Sequence, residues 1–152
     1  MLELTKEQAL DLVNKISFFE FFTAGEKKVV ADLRSNMVSY ASGENIIRQG
    51  DTDRAVFLLI KGKAKVTKKE KKSVTLNTLK AGDVFGEIAF FSQKPRSTNV
   101  ITLEDTIALK MDWSLLGGLD ETIKNKIKDK FIEVLIQRLE NMNTALIKHC
   151  RL

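Results

Sequence analysis

One cysteine and one histidine occur in these 152 residues, Cys150 and His149, side by side near the end of the chain. A single thiol closes no intramolecular disulfide and holds no iron–sulfur cluster. Two neighbouring tail residues do not make a zinc or iron site, which draws on three or four ligands of these types. That scarcity excludes metal-dependent oxygenases, isomerases and metal-assisted phosphodiester hydrolysis, so no metal is expected. It also leaves no Ser–His or Cys–His pair for nucleophilic catalysis. The chain is accordingly read as a binding protein and not an enzyme. No apolar run approaches the ~18–20 residues that cross a bilayer, so no membrane span is expected. The start, Met1-Leu2-Glu3-Leu4-Thr5-Lys6-Glu7, lacks the basic-then-apolar order of a signal peptide. A cytoplasmic protein, or a soluble module facing the cytoplasm, is expected.

What is present suits one globular domain with room for a core. The net charge is +5, a balance that raises the question of nucleic acid. Its location argues otherwise. Residues 61–72 hold seven lysines and one glutamate, and removing that +6 from the chain's +5 leaves −1. Basicity confined to one hairpin reads as a solvated edge that discourages strand-to-strand aggregation. An acidic partner or a membrane surface is the other reading of this segment.

Thr5-Lys6-Glu7-Gln8 reads as a capping box ahead of a short helix carrying Leu10, Leu12, Val13 and Ile16. Thr23-Ala24-Gly25-Glu26 is a second, ahead of Val29, Val30 and Leu33 at helical spacing. Phe18, Phe19, Phe21 and Phe22 lie between and read as a clamp onto the next layer. An exposed aromatic patch is the alternative. From Met37 short strand-like runs alternate with turn signals. Ala55 to Ile60 is continuously apolar, as a doubly buried strand would be. Lys61, Lys63 and Lys65 alternate with Gly62, Ala64 and Val66, a period of two. Val74, Leu76 and 100–111 also read as strands. Many short strands with regular turns indicate a β-sandwich, jelly roll or barrel. After Gly117-Gly118, with Asp120 as cap, Ile123, Ile127, Phe131, Leu135, Leu139, Met142 and Leu146 form one stripe of a long helix. Ile132 and Ile136 belong to a second stripe. Two stripes ask for two partners, and the second partner can be the same helix of another subunit. A single wide stripe is the alternative.

The chemistry concentrates in 82–100. Gly86 lets the backbone approach a ligand closely. Glu87 to Phe91 can form one helical turn whose amides point at its start, a ready anion site. Ala89 keeps that surface small, Pro95 stiffens the approach to Arg96, and Arg96 adds a planar cation for phosphate oxygens. Glu87 is out of place beside an anion unless the ligand also carries a hydroxyl, which a carboxylate accepts well. An anionic, hydroxylated ligand fits a ribose cyclic phosphate. The plainer alternative is that Glu87 and Arg96 pair with each other.

Phe85-Gly86-Glu87-Ile88-Ala89, the spacing to Pro95-Arg96-Ser97 and the following Val100 closely resemble the phosphate-binding cassette of cyclic nucleotide-binding domains. Gly43 to Asp51, Phe57 to Gly62 and Leu79 to Asp83 extend the resemblance upstream, and it covers about residues 10–147. It implies an α+β, mainly β fold: a jelly-roll-like β-roll (37–112) between N-terminal helices (1–36) and long C-terminal helices (113–152), as one domain over 1–152. It implies that Glu87 binds the ribose 2′-hydroxyl. Arg96 and the amides near Ile88 and Ala89 would bind the cyclic phosphate. Ser97 would touch phosphate or base. Leu76 and Leu79 look like walls of the base pocket. Arg138, Met142 and Asn143 fall near the family's lid positions on the C-terminal helix.

Activator proteins of the family carry a helix-turn-helix beyond that helix. Here the chain stops at Leu152, so no DNA-binding domain is expected. The expectation is a stand-alone regulatory sensor for cAMP, favoured over cGMP, with no cofactor besides that ligand. It would signal through movement of the C-terminal helix to a second subunit, as a homodimer, or to an unknown downstream protein. The alternative is an interaction or dimerisation module of the same fold that needs no ligand.

Overall fold

The computed structural model describes residues 3–150. Met1-Leu2 and Arg151-Leu152, the ends of the expected domain, lie outside the described residues. The chain forms two compact units, Met1–Gly118 and Leu119–Leu152.

In the first unit, helix α1 spans Lys6–Asn14 and α2 spans Ala24–Ala31. Both start where a threonine can satisfy a free amide. Thr5 Oγ1 accepts from Gln8 N at 3.1 Å while Gln8 Oε1 accepts from Thr5 N at 2.9 Å. Thr23 and Glu26 repeat the exchange at 3.1 and 2.8 Å. Each cap contributes about 1 kcal/mol. α1 buries Ala9 and Val13, and Ile16 is buried just past its end. Phe18, Phe19 and Phe22 are buried and meet edge to face. Phe21 is 74% exposed, so the clamp is three rings and not four. Val30 is buried in α2, but Val29 is exposed and Leu33 falls in a separate 3-10 turn, Asp32–Asn36. The expected helical face of α2 is therefore shorter than its spacing suggests.

Eight strands follow: β1 (Met37–Tyr40), β2 (Asn45–Ile47), β3 (Val56–Lys61), β4 (Lys63–Lys69), β5 (Ser73–Lys80), β6 (Val84–Phe85), β7 (Asn99–Thr102) and β8 (Thr106–Met111). They build two antiparallel sheets, ordered β1-β8-β3-β6 and β2-β7-β4-β5. Val56 to Ile60 are all buried, as the continuous apolar run predicts. One core draws on both sheets: Ile47, Phe57, Leu59, Ala64, Phe85 and Val100 are among its members. Phe57 and Phe85 stack at 5.2 Å. Gly62 is the corner where the chain leaves one sheet for the other. Its φ is +104°, and a Cβ there would sit 2.5 Å from Thr106 Oγ1 and 2.7 Å from Asp105 O. Only glycine fits both constraints. This β-roll, with helices before it and a long helix after it, is the architecture the resemblance implies.

The lysine segment takes a different place from the one expected. Most of its lysines lie on β4, which is paired on both sides, by β7 and by β5. The edge strand is β5, and its only charged residue is Lys80. Val74 and Leu76 on β5 are more than half exposed. The lysines are solvated, but they do not guard the edge.

Helix α3 spans Glu87–Ser92 and α4 spans Trp113–Gly117. The second unit is dominated by α5, Glu121–Cys150. Asp120 starts it as expected: its Oδ2 accepts from Thr122 N at 3.2 Å and its carbonyl from Lys124 N at 2.9 Å. Ile123, Ile127 and Phe131 are buried. Leu139, Met142 and Leu146 are each about 60% exposed, so the long apolar stripe is covered only in its first half. Among the described residues no helix is long and apolar enough to cross a membrane.

Candidate functional site

The cassette starts at a glycine for two separate reasons. Gly86 caps α3 with φ +79°, a conformation costly for any residue with a Cβ. A Cβ there would also stand 2.8 Å from Arg96 Nη1, 3.1 Å from Ile47 Cδ1 and 3.2 Å from Ala55 O. The amides of Ile88 and Ala89 lie in the first turn of α3, where helix geometry supplies no carbonyl for them. α3 ends on Gln93, the one residue other than glycine with positive φ among those described. Trp113 Nε1 donates to Phe90 O at 3.1 Å and its ring stacks on Phe90 at 4.3 Å. The short helix is thereby fastened at its back.

Arg96 is buried, 4% exposed. A buried guanidinium is tolerated only when its N–H groups and its charge are matched. Nε donates to Asp53 Oδ1 at 3.2 Å and Nη2 to Asp53 Oδ2 at 2.7 Å, a bidentate pair. Nη2 also donates to Ala55 O, and Nη1 donates to Gly86 O at 2.8 Å. The guanidinium lies 5.9 Å from the Phe57 ring centre. Its backbone is fixed as well: Arg96 N donates to Asp51 O at 2.7 Å and Gly50 N to Arg96 O at 2.8 Å. Of five N–H groups, one on Nη1 remains for a ligand among the described residues. The direct Glu87–Arg96 pair is not formed; Asp53 takes that place. The Arg96 hydrogen bonds, and then its charge, hold the Asp53 carboxyl below the usual carboxylate range against partial burial.

The structure brings Phe85, Gly86, Glu87, Ile88, Ala89 and Arg96 into one short stretch of surface and core. Glu87, Ala89 and Phe85 are buried, and Ile88 is 61% exposed. Pro95 and Ser97 flank Arg96 and are exposed. Leu79 is packed into the inter-sheet core, whereas Leu76 presents its side chain outward, 55% exposed. Val66, half-buried against the same core, is a neighbour the sequence reading did not single out. Arg138, Met142 and Asn143 lie on α5, in the other unit, the first half-buried and the others exposed. Asp53 was also missed. The signal that could have found it is chemical: an arginine destined for burial needs a carboxylate, and Asp51 and Asp53 stand before the apolar strand β3. Among the described residues no group of three or more His, Cys, Asp or Glu could hold a metal ion.

The family model "Cyclic nucleotide-binding domain" matches residues 37–119, more than half the chain and all of the two sheets. The chain belongs to this family. A cyclic nucleotide-binding domain is a binding and regulatory unit. The cGMP-dependent protein kinase egl-4 of Caenorhabditis briggsae is 30% identical over 131 residues, covering 81% of this chain and 17% of that protein. The cAMP-dependent protein kinase regulatory subunit of Dictyostelium discoideum is 26% identical, covering 78% of this chain and 38% of that one. The chain thus spans less than two fifths of the length of these curated relatives. Among solved structures, the catabolite activator protein of Thermus thermophilus aligns with TM-score 0.72 at 24% identity, covering 88% of this chain and 62% of the other. A cyclic nucleotide-binding domain from Methylobacillus flagellatus aligns with TM-score 0.73 at 24% identity, covering 95% and 83%. Both likenesses are of fold.

Proposed function

We propose that this cyclic nucleotide-binding domain is a cytoplasmic sensor that takes cAMP in preference to cGMP and acts as a homodimer. The observation that carries the reading is the meeting of Gly86, the first turn of α3 and the buried Arg96 guanidinium. Together they offer backbone amides and a fixed cation to one small anion. Arg96 uses its remaining Nη1–H and shares its charge between Asp53 and the cyclic phosphate. The amides near Ile88 and Ala89 hold the other phosphate oxygens. Glu87 accepts from the ribose 2′-hydroxyl, and Phe85 and Pro95 fix the two ends of the cassette. Leu76 offers apolar surface to the base, with Leu79 behind it in the core. Ser97, exposed beside Arg96, serves the phosphate or the base. The Arg96-Ser97 pair favours cAMP. Relatives named for both nucleotides support the ligand class without choosing between them.

Binding is read out through a shift of α5, which carries Arg138, Met142 and Asn143 and forms a compact unit of its own. A downstream protein, or the second subunit, receives it. Calorimetric titration with cAMP and then cGMP tests the reading. One saturable site per chain with tighter cAMP binding is expected. No heat with either nucleotide, on protein checked for co-purified ligand, overturns it in favour of a ligand-free interaction module.

A further inference from the structure

Strand β4 outlasts one of its two partners. Among the described residues β7 pairs with it only from Ala64 to Thr67, where Thr67 faces Asn99, while β5 follows it as far as Lys69. Where β7 has ended, a side chain completes the ladder. Lys69 N donates to Gln49 Oε1 at 3.0 Å, and Gln49 Nε2 donates to Lys69 O at 3.1 Å. The two bonds make one further rung of the kind two strands exchange. A carboxamide suits that place because its end carries a donor and an acceptor together, as a peptide group does. Gln49 also holds the start of β7. Its backbone N–H donates to Asn99 Oδ1 at 2.8 Å, and Asn99 Nδ2 donates to Gln49 Oε1 at 3.5 Å.

The residues that follow Gln49 are those that hold Arg96. Gly50 N donates to Arg96 O, and Arg96 N donates to Asp51 O. Asp53 then takes the guanidinium in its bidentate pair. Residues 49–53 thus run beside residues 96–99 and meet them at three places: Gln49 with Asn99, Gly50 and Asp51 with the Arg96 backbone, and Asp53 with the Arg96 side chain. We propose that Gln49 is a positioning residue for phosphate binding. It fastens this run to the β4 and β5 hairpin on one side and to β7 on the other, and so sets where Arg96 presents its Nη1–H. The proposal rests on the cyclic nucleotide reading above and adds a residue to that site. Asp53 cannot set the position by itself: its side chain is 44% exposed and moves with the run that carries it. Ala55 O and Gly86 O hold the guanidinium from the other side. Loss of the Gln49 bonds therefore shifts Arg96 without releasing it, and affinity falls without disappearing.

Gln49→Met tests this, because methionine keeps the length and loses both hydrogen-bonding groups without adding charge. Wild type and variant, as full chains, are titrated by calorimetry with three ligands. One is cAMP; the other two are its phosphorothioates, in which sulfur replaces one or the other exocyclic phosphate oxygen. Sulfur accepts hydrogen bonds poorly, so each analogue reports how firmly one oxygen is held, whether by Arg96 or by the amides of α3. The expected result is a folded variant by circular dichroism whose cAMP affinity falls about three- to tenfold, the worth of one hydrogen bond. One of the two sulfur penalties should shrink and the other stay as it was, since only the oxygen facing Arg96 loses its grip. A purely structural role lowers all three affinities by one factor. Unchanged cAMP affinity in the variant, or an equal loss with all three ligands, overturns the positioning role and leaves the cyclic nucleotide reading standing. A variant that is unfolded at the temperature of the titration shows a role in the whole fold and overturns it too. No binding by wild type overturns the cyclic nucleotide reading, and this proposal with it.

Discussion

The cassette around Gly86 and Arg96 and the hairpin of β4 and β5 both carry positive charge, and they use it in opposite ways. Residues 61–72 hold seven lysines, six of them in the hairpin and Lys61 at the end of β3, and the described residues show no ion pair to any of them. Lys63 even faces Lys80 across the strands. Water does the matching there, and each charge is worth little to the fold. The cassette carries one arginine, taken out of water and matched by Asp53 and by two carbonyls. Removing water raises both the cost of a mistake and the value of a match. The number of charges in a segment is therefore a poor guide to where charge acts; burial is the better one.

Arg96→Ala should give the largest effect. It removes the Arg96 donor from Ala55 O, leaves Gly86 O with only the longer bond from Phe90 N at 3.4 Å, and leaves Asp53 without its counter-charge. Breaking a buried pair from one side costs about 3–5 kcal/mol, and the exposed side of Asp53 places this case toward the lower end. Denaturant unfolding measures it. Arg96→Lys, which keeps the charge but loses the fork, is the better probe of binding and should weaken cyclic nucleotide affinity at least about 30-fold, roughly 2 kcal/mol. Next comes Gly86→Ala, with its strained φ and a 2.8 Å approach to Arg96 Nη1. A cost of about 1–3 kcal/mol is expected, with binding weakened as well, because the clash pushes the guanidinium off its partners.

Asp53→Asn sharpens the comparison further. It keeps an acceptor but removes the charge, and with the Asp53 side chain 44% exposed the loss should be about 1 kcal/mol. The pH dependence follows from the sign. Folding lowers the Asp53 pKa, so the pair's stabilisation is fully present above the unfolded value near 3.8. It is lost as pH falls through the lower folded value. A thermal-melt series from pH 6 downward should show wild type losing its advantage over Asp53→Asn only below about pH 4. The smallest effects belong to the hairpin. Single Lys63→Ser, Lys65→Ser or Lys68→Ser changes should stay within about 0.5 kcal/mol. Lys63→Ser should be neutral or slightly stabilising, since it removes a like-charge pair. A hairpin lysine whose loss costs as much as Asp53→Asn would break the comparison.

What the sequence shows and what it hides divides along the same line. Local rules carry far. The threonine caps, the doubly buried β3 and the Asp120 start of α5 each follow from residues within one turn or one strand. The Gly86 and Arg96 cassette is legible as well, because its parts lie within 20 residues. Asp53 is not legible from spacing, being 43 residues from Arg96; only the demand of a buried guanidinium points to it. The lysines mislead because periodicity gives strands but not their order, and order decides which strand is the edge. The stripe on α5 is continuous in sequence, yet full burial ends at Phe131, Leu135 is half-buried and the stripe is exposed from Leu139 onward. Hydrophobic pattern names a face; it does not name what covers it.

The central claim is that Arg96, held by Asp53, receives the phosphate of a cyclic nucleotide. Calorimetric titration of wild type and Arg96→Lys with cAMP, on samples shown to be equally folded, tests it most directly. The account predicts one site per chain at about 1 µM or tighter, near −8 kcal/mol, and a loss of at least about 30-fold in the variant. Equal affinity in both proteins, or no binding to either, would contradict it.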